Sequence, residues 1–92
     1  MSTTIWKATL KPTTVQRVPM PRGAKILSAN VQDTLPTIWF LCDPAEPIEL
    51  REIHIIGTGH DAPHPADVKF KFIDTVLLKG GTLVVHIFER PQ

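Results

Sequence analysis

The sequence predicts an all-β fold: a small antiparallel sandwich, jelly roll or barrel of six to seven strands. Apolar and polar residues alternate over short runs, and nine prolines and five glycines separate these runs. Antiparallel pairing is expected because the connections are short and parallel strands need long crossovers. A chain of 92 residues leaves room for one core, so residues 1–92 are predicted to form a single domain.

The N-terminal half contains four predicted strands, at residues 4–10, 13–18, 24–31 and 35–42. The second is expected to end at Pro19 because Pro19 and Pro21 each lack a backbone donor for the sheet. In the third, alternation places four residues on one face: Lys25, Leu27, Ala29 and Val31. In the fourth, Trp39 and Phe40 point to opposite faces. One of them should enter the core, and the other should be covered by a second layer or a neighbouring subunit.

The C-terminal half contains three predicted strands, at residues 48–57, 68–78 and 82–89. In the first, Arg51 shares a face with Ile53, an imperfect alternation typical of a strand that is covered on both sides or carries a bulge. Residues 58–67 contain two prolines and are predicted to form an irregular loop. Gly80 and Gly81 predict a tight hairpin between the last two strands, because glycine readily adopts positive φ.

The most distinctive segment is a strand end that reads Gly57, Thr58, Gly59, His60. The two glycines have no Cβ, so a ligand can approach the backbone amides closely. These amides, the hydroxyl of Thr58 and the imidazole of His60 could together hold a phosphate or another anion. The alternative interpretation is a strand end or bulge where glycine supplies an unusual backbone angle. The segment is not a P-loop, since the lysine and the following helix of that motif are missing.

Two residues elsewhere in the sequence extend this candidate site. Arg51 is predicted to pair with a phosphate as a bidentate donor, on the condition that its strand face is exposed. Trp39 is a candidate to stack on a base, although core packing is the simpler role for it.

The histidines do not predict a metal site. His60 and His64 are four residues apart, a spacing that suits a metal on a helix. Pro63 and Pro65 rule out that helix, so the two histidines are interpreted as solvated loop residues.

No residue pattern predicts catalysis. Cys42 lies in an apolar strand and is interpreted as a buried structural thiol. His54 and His86 are expected to be hydrogen-bonded core or interface histidines. A Gly-x-Ser-x-Gly motif and a carboxylate pair placed for acid–base work are both absent from the sequence. The chain is therefore predicted not to be an enzyme and to need no cofactor.

Charge and hydropathy restrict the partners. Ten basic and nine acidic residues give a net charge of +1, which argues against bulk nucleic-acid binding. No apolar run approaches the ~20 residues that span a bilayer, and no secretory signal is recognisable, so no membrane contact and a cytoplasmic location are expected. Strands with two apolar faces give more apolar surface than a thin core can bury. This predicts a homo-oligomer joined through edge strands.

Four segments carry a resemblance to a known family: Pro21-Arg22-Gly23-Ala24-Lys25-Ile26-Leu27-Ser28, the aromatic strand that ends in Asp43-Pro44, Ile55-Ile56-Gly57-Thr58-Gly59-His60, and Gly80-Gly81-Thr82-Leu83-Val84-Val85-His86-Ile87-Phe88-Glu89. Over residues 5–89 the chain resembles small uncharacterised proteins encoded by tailed phages and prophages. The Gly-Thr-Gly-His and Val-His-Ile-Phe-Glu segments are its most specific parts. The resemblance implies a phage origin, a small accessory role, and a location in the cytoplasm of the infected bacterial host.

Small accessory phage proteins often counter host immunity, and this analogy supplies the functional hypotheses. The leading hypothesis is a non-enzymatic binding protein that sequesters a nucleotide-type immune signal in an oligomer. Its ligand-binding residues are predicted to be Arg51, Gly57, Thr58, Gly59, His60 and Trp39. The alternatives are a protein-binding inhibitor of a host defence complex, comparable to an anti-CRISPR protein, which would use an exposed strand edge and the 58–67 loop, or a minor virion or assembly component.

Overall fold

Antiparallel strands make up nearly all of the regular structure. The computed structural model describes residues 2–91, and its strands are β1 (Thr4–Thr9), β2 (Val15–Pro21), β3 (Lys25–Gln32), β4 (Leu35–Cys42), β5 (Ile48–Gly57), β6 (Lys71–Leu78) and β7 (Leu83–Arg90). Within residues 2–91 they form a three-stranded sheet, in the order β1-β4-β3, and a four-stranded sheet, in the order β2-β5-β7-β6. Every neighbouring pair is antiparallel, so the predicted all-β antiparallel fold is confirmed. In this part of the chain no helix is long and apolar enough to cross a bilayer.

The inward faces of the two sheets share a hydrophobic core, which makes the fold a small sandwich. Alternate residues of the central strands are buried, as Ile38 and Phe40 are in β4 and Val85 and Ile87 are in β7. Burying one large aliphatic or aromatic side chain contributes about 1.5–3 kcal/mol, so this alternation stabilises the packing of the sheets. The buried cluster contains Leu10, Val18, Met20, Ala24, Ala29, Ile38, Phe40, Cys42, Ile53, Val76, Val85 and Ile87. Phe40 is thus the aromatic residue of β4 that enters the core.

Pro19 and Pro21 lie inside β2, so the prediction that this strand ends at Pro19 is wrong. β2 is an edge strand, and its ladder partner is β5. The N–H of Arg22 donates to the carbonyl of Pro47 at 2.8 Å, which shows that even-numbered residues of β2 turn their backbone groups toward β5. The two prolines occupy odd-numbered positions that face away from β5. A missing donor there costs no ladder bond.

The predicted common face of Lys25, Leu27, Ala29 and Val31 is also wrong. The register of β3 against β4 shifts at Leu27, the extra residue of a β-bulge. Ala29 is buried in the core, whereas Leu27 is exposed. A bulge of one residue reverses the side-chain direction beyond it, so simple alternation across β3 fails.

β6 carries a second bulge and lies beside β3 where the two sheets meet. The register of β6 against β7 shifts between Phe72 and Asp74. Asp74 then reaches the other sheet, because its Oδ2 accepts the backbone N–H of Ala29 at 3.2 Å. The edge strands β3 and β6 therefore lie side by side, and one outward N–H of β3 is satisfied from β6.

The segment before β6 is irregular, as predicted for residues 58–67, but β6 begins at Lys71 and not at residue 68. Asp67 forms a local turn here. Its Oδ1 accepts the N–H of Lys69 at 3.0 Å, and its carbonyl accepts the N–H of Phe70 at 3.3 Å. Such local bonds compete with a ladder, and Val68 is left 94% exposed.

The turn between β6 and β7 confirms the predicted hairpin. A short 3₁₀ turn, Lys79–Gly81, joins the two strands. Gly80 and Gly81 have φ angles of 65° and 90°, in the region that glycine adopts without steric cost.

Candidate functional site

Residues 57–60 form a tight turn at the end of β5. The N–H of His60 donates to the carbonyl of Gly57 at 3.0 Å. Gly59 has φ +89°, as the third position of a type II turn requires. The imidazole of His60 folds back over Gly57, where a Cβ would lie 3.2 Å from His60 Nδ1. A backbone angle therefore accounts for Gly59, and the close approach of a side chain accounts for Gly57.

Arg51 lies at the other end of β5, about 20 Å along the strand from Gly57 at roughly 3.3 Å per residue. Its side chain is 18% exposed and is bonded within the protein. Nε and Nη2 donate to the carboxylate of Glu89, the second at 3.0 Å, and Nη1 donates to the carbonyl of Ala24 at 2.9 Å. The hydrogen bond to Glu89 raises the pKa of Arg51. The condition for a phosphate-donor role, an exposed strand face, is not met.

A hollow of about 380 Å³ opens beside this ion pair. Its charged lining residues are Glu49, Glu52, Glu89, Arg51, Lys71 and Arg90. Acidic and basic groups are equal in number, so the hollow offers no excess charge to an anion.

Trp39 lies in the three-stranded sheet, on its outer face. Its ladder partners are Lys7 in β1 and Ser28 in β3. A hollow of about 450 Å³ beside it is lined by Ile5, Trp6, Lys7 and Trp39. The structure therefore places the predicted site residues in three locations: the turn at residues 57–60, the sandwich interior at Arg51, and the outer face at Trp39.

The outer face of the four-stranded sheet brings together side chains that the sequence analysis did not combine. His54 of β5 lies opposite Phe88 of β7, and Phe88 lies opposite Phe72 of β6. We call these three residues the aromatic row. Phe72 is 54% exposed, and its ring lies 5.5 Å from that of Phe88. The ring of Phe70 meets His54 edge-on at 5.0 Å.

A charged row runs beside the aromatic row. Glu52 of β5 lies opposite both Arg17 of β2 and Arg90 of β7. Its Oε2 is 2.7 Å from His54 Nε2, and this hydrogen bond, supported by the charges of His54, Arg90 and Arg17, lowers the pKa of Glu52. The guanidinium of Arg90 also lies 6.0 Å from the centre of the Phe70 ring. Two arginines flank one carboxylate, so this side of the face carries excess positive charge.

A hydroxyl–imidazole cluster, formed by Thr58, His86 and Thr75, lies on the other side of the aromatic row. His86 Nε2 is 2.8 Å from the hydroxyl of Thr58, and His86 Nδ1 is 2.9 Å from the hydroxyl of Thr75. Both threonines are exposed, and His86 is half-buried. Thr58 is thus the predicted site residue that the structure joins to other polar groups of this face.

Alternation alone could have placed Phe88 and His86 on one face of the last strand. Grouping them with His54 and Phe72 requires the pairing of three strands. That pairing depends on the bulge in β6, which sequence patterns do not reveal.

Cys42 is buried, as predicted. Burial and the neighbouring charge of Asp43 raise the pKa of its thiol. The predicted loop histidine His64 uses Nδ1 to accept the N–H of Ala66 at 3.0 Å. Among residues 2–91 no group of three or more His, Cys, Asp or Glu side chains is placed to hold a metal ion.

A family model described as a domain of unknown function (DUF7352) matches residues 1–92, and the chain belongs to this family. No curated protein gives a significant match to the chain. No solved structure gives one either.

Proposed function

We propose that this domain binds a nucleotide-type ligand on the outer face of the four-stranded sheet, without catalysing a reaction. The observation that carries the proposal is the order of side chains along the strands. The aromatic row lies between two arginines on one side and the hydroxyl–imidazole cluster on the other. A nucleotide presents matching chemistry in the same order: a phosphate, a flat base and the polar edge of that base.

The spacing of the rows supports this ligand. Outward residues on one strand are two positions apart, about 6.6–6.8 Å, so a phosphate at Arg90 leaves room for a base over Phe72 and Phe88. Stacking of one base on an aromatic side chain contributes about 1–3 kcal/mol. The phosphate would receive charge-assisted hydrogen bonds from Arg90 and Arg17, both of which are exposed.

His86 contributes polar groups to the proposed site. Both of its ring nitrogens lie within hydrogen-bond distance of threonine hydroxyls. A cluster of hydroxyls and an imidazole offers both donors and acceptors, which the polar edge of a base requires. We therefore assign the cluster to recognition of the base edge.

The biological role that we propose is sequestration of a nucleotide immune signal by a phage accessory protein. The resemblance to phage and prophage proteins motivates this step. The step concerns the biological context of the binding site and adds no further chemistry.

Calorimetric titration with cyclic mononucleotides, cyclic dinucleotides and linear mononucleotides tests the proposal. We expect saturable binding of at least one class. Phe72→Ala should weaken that binding by roughly 5- to 100-fold because a stacking surface is lost. Arg90→Gln should weaken binding and reduce its dependence on salt concentration.

Leu27→Ala, at an exposed apolar residue of the other sheet, is the matched control and should bind as the wild type does. Thr58→Ala should weaken binding, whereas His60→Ala should not, because His60 packs over Gly57 and has no bond to the cluster in the described chain. Absence of binding to every class, or equal binding by Phe72→Ala and the wild type, would overturn the proposal.

A further inference from the structure

The edge strands of the two sheets differ in how they are protected. In residues 2–91, β3 and β6 lie side by side and are linked by the bond between Ala29 and Asp74, and β2 carries Pro19 and Pro21 on its outward positions. β1 has neither device, and its register against β4 is regular from Thr4 to Thr9. Open edges present unpaired backbone groups that attract another strand, and most β proteins protect them. β1 carries one charged residue, Lys7, whose Nζ is bonded to Gln32 Oε1, and its outward backbone groups are the ones left open to another strand.

The ladder shows which backbone groups of β1 point outward. The N–H of Leu10 donates to the carbonyl of Pro36 at 2.8 Å. Hydrogen-bonded positions alternate along an antiparallel ladder, so even-numbered residues face β4 and odd-numbered residues face away from it. Ile5 and Lys7 thus direct their N–H and C=O groups outward from the sheet.

We propose that β1 pairs with β1 of a second copy of this chain, antiparallel, about a two-fold axis at Trp6. Outward groups of one copy must meet outward groups of the other, so the axis must pass through a residue and not between two residues. An axis at Lys7 places two like charges directly opposite each other, which is destabilising. An axis at Trp6 places Ile5 opposite the partner's Lys7 and pairs more of the strand than an axis at Ile5 does.

The side chains of β1 fit this register. Trp6 falls at a non-hydrogen-bonded position, where the two Cα atoms lie about 4.5 Å apart and side chains are closest. Trp6 is 40% exposed and Ile5 is 56% exposed in the single chain. The partner's Ile5 falls beside the stem of Lys7, over the hollow of about 450 Å³ that Trp39 also lines. Pairing therefore covers Trp6 with the partner's Trp6 and Ile5 with the stem of the partner's Lys7.

The dimer joins the two three-stranded sheets into one continuous sheet. The aromatic row lies on the other sheet, which this pairing leaves uncovered. The inference is therefore independent of the proposed nucleotide site, and each can fail without the other.

Light scattering after size exclusion, over a series of concentrations, should show a dimer of the wild-type chain. Ile5→Pro removes an outward donor and keeps the bonds to β4, as Pro19 and Pro21 do in β2. It should raise the dimer dissociation constant at least about tenfold because each copy loses one intermolecular bond. Ile5→Val keeps the N–H and should dimerise as the wild type does.

A disulfide tests the register. Trp6→Cys should form an intermolecular disulfide on oxidation, since two Cα atoms about 4.5 Å apart are within the range of that bond. Lys7→Cys is the control. In this register residue 7 lies opposite the partner's residue 5, so the two copies of residue 7 are two positions apart and should not cross-link. A monomeric wild-type chain at about 1 mM, a dimer indifferent to Ile5→Pro, or equal cross-linking of the two cysteine variants would overturn the inference.

Discussion

The carboxylate of Glu89 in β7 accepts two N–H groups of Arg51 in β5, and the pair lies between the two sheets. The same guanidinium donates to the carbonyl of Ala24, just before β3 begins. One side chain thus connects the four-stranded sheet to the chain that enters the three-stranded sheet. This position makes the pair a structural link, although Arg51 resembles a ligand-binding residue in the sequence.

Loss of the Glu89 carboxylate should destabilise the fold strongly. Glu89→Ala leaves the partly buried guanidinium of Arg51 with only the more exposed Glu49, 3.6 Å from Nη1, as a counter-charge, and breaking a buried pair costs up to about 3–5 kcal/mol. Urea unfolding, monitored by circular dichroism, measures the change in the free energy of unfolding. Replacing both partners, with Arg51→Met and Glu89→Leu, should recover most of this loss because the charge that remains, on Glu49, is exposed to solvent. A cost for Glu89→Ala below about 1 kcal/mol would contradict the structural role of the pair.

Gly59→Ala should lower stability through backbone strain alone. A Cβ at Gly59 would meet no atom within 4 Å, but φ is +89°. Placing an L-residue in the left-handed region costs about 1–2 kcal/mol, and thermal unfolding would show it as a lower Tm. Gly59→Asn is the matched control, since asparagine tolerates positive φ better and should cost less. Equal Tm values for the alanine variant and the wild type would show that the turn relaxes.

Replacing Pro19 and Pro21 together by valine should promote association without loss of the native ladder. The substitutions restore two outward N–H groups on β2 and so remove the protection of this edge. Light scattering at fixed concentration should detect species larger than those of the wild type. Pro44→Ala, in the loop between β4 and β5, is the control and should leave the size distribution unchanged. Unchanged scattering by the double variant would mean that the prolines do not protect the edge.

The pKa of Glu52 is lowered in the folded protein, so the interaction of this carboxylate with His54 stabilises the fold at pH values above the ordinary carboxyl range. That contribution is lost as the pH falls through the lowered pKa, because the carboxylate becomes protonated. The unfolding free energy of Glu52→Gln should therefore fall less than that of the wild type between about pH 6 and pH 3. Denaturant titrations at several pH values measure the unfolding free energies of both proteins. Parallel curves for the two proteins would contradict this prediction.

Alternation and turn residues predicted much of the fold. β4 and β5 span residues 35–42 and 48–57 as predicted, and the two adjacent glycines mark the β6–β7 hairpin. These features follow from local chemistry: apolar residues cluster in short extended runs, and glycine supplies positive φ at the turns. By contrast, the number of residues in β2 could not be predicted, because a proline is tolerated only where its missing donor faces away from the neighbouring strand.

The candidate site was less predictable. Thr58 was found from its own segment, whereas its partners His86 and Thr75 come from two other strands. Arg51 and Trp39 have residue types suited to a nucleotide but lie at separate places in the sandwich. Residue type and spacing in sequence do not report on which strands become neighbours.

The sequence by itself determined that this chain forms short extended strands, where most of them lie and which turns need glycine. These properties depend on a few consecutive residues and their backbone angles. Only the tertiary structure decided which strands are neighbours, which edges are closed and which side chains share a face. A bulge of one residue reverses the direction of every side chain beyond it, and long-range packing selects the register of each ladder.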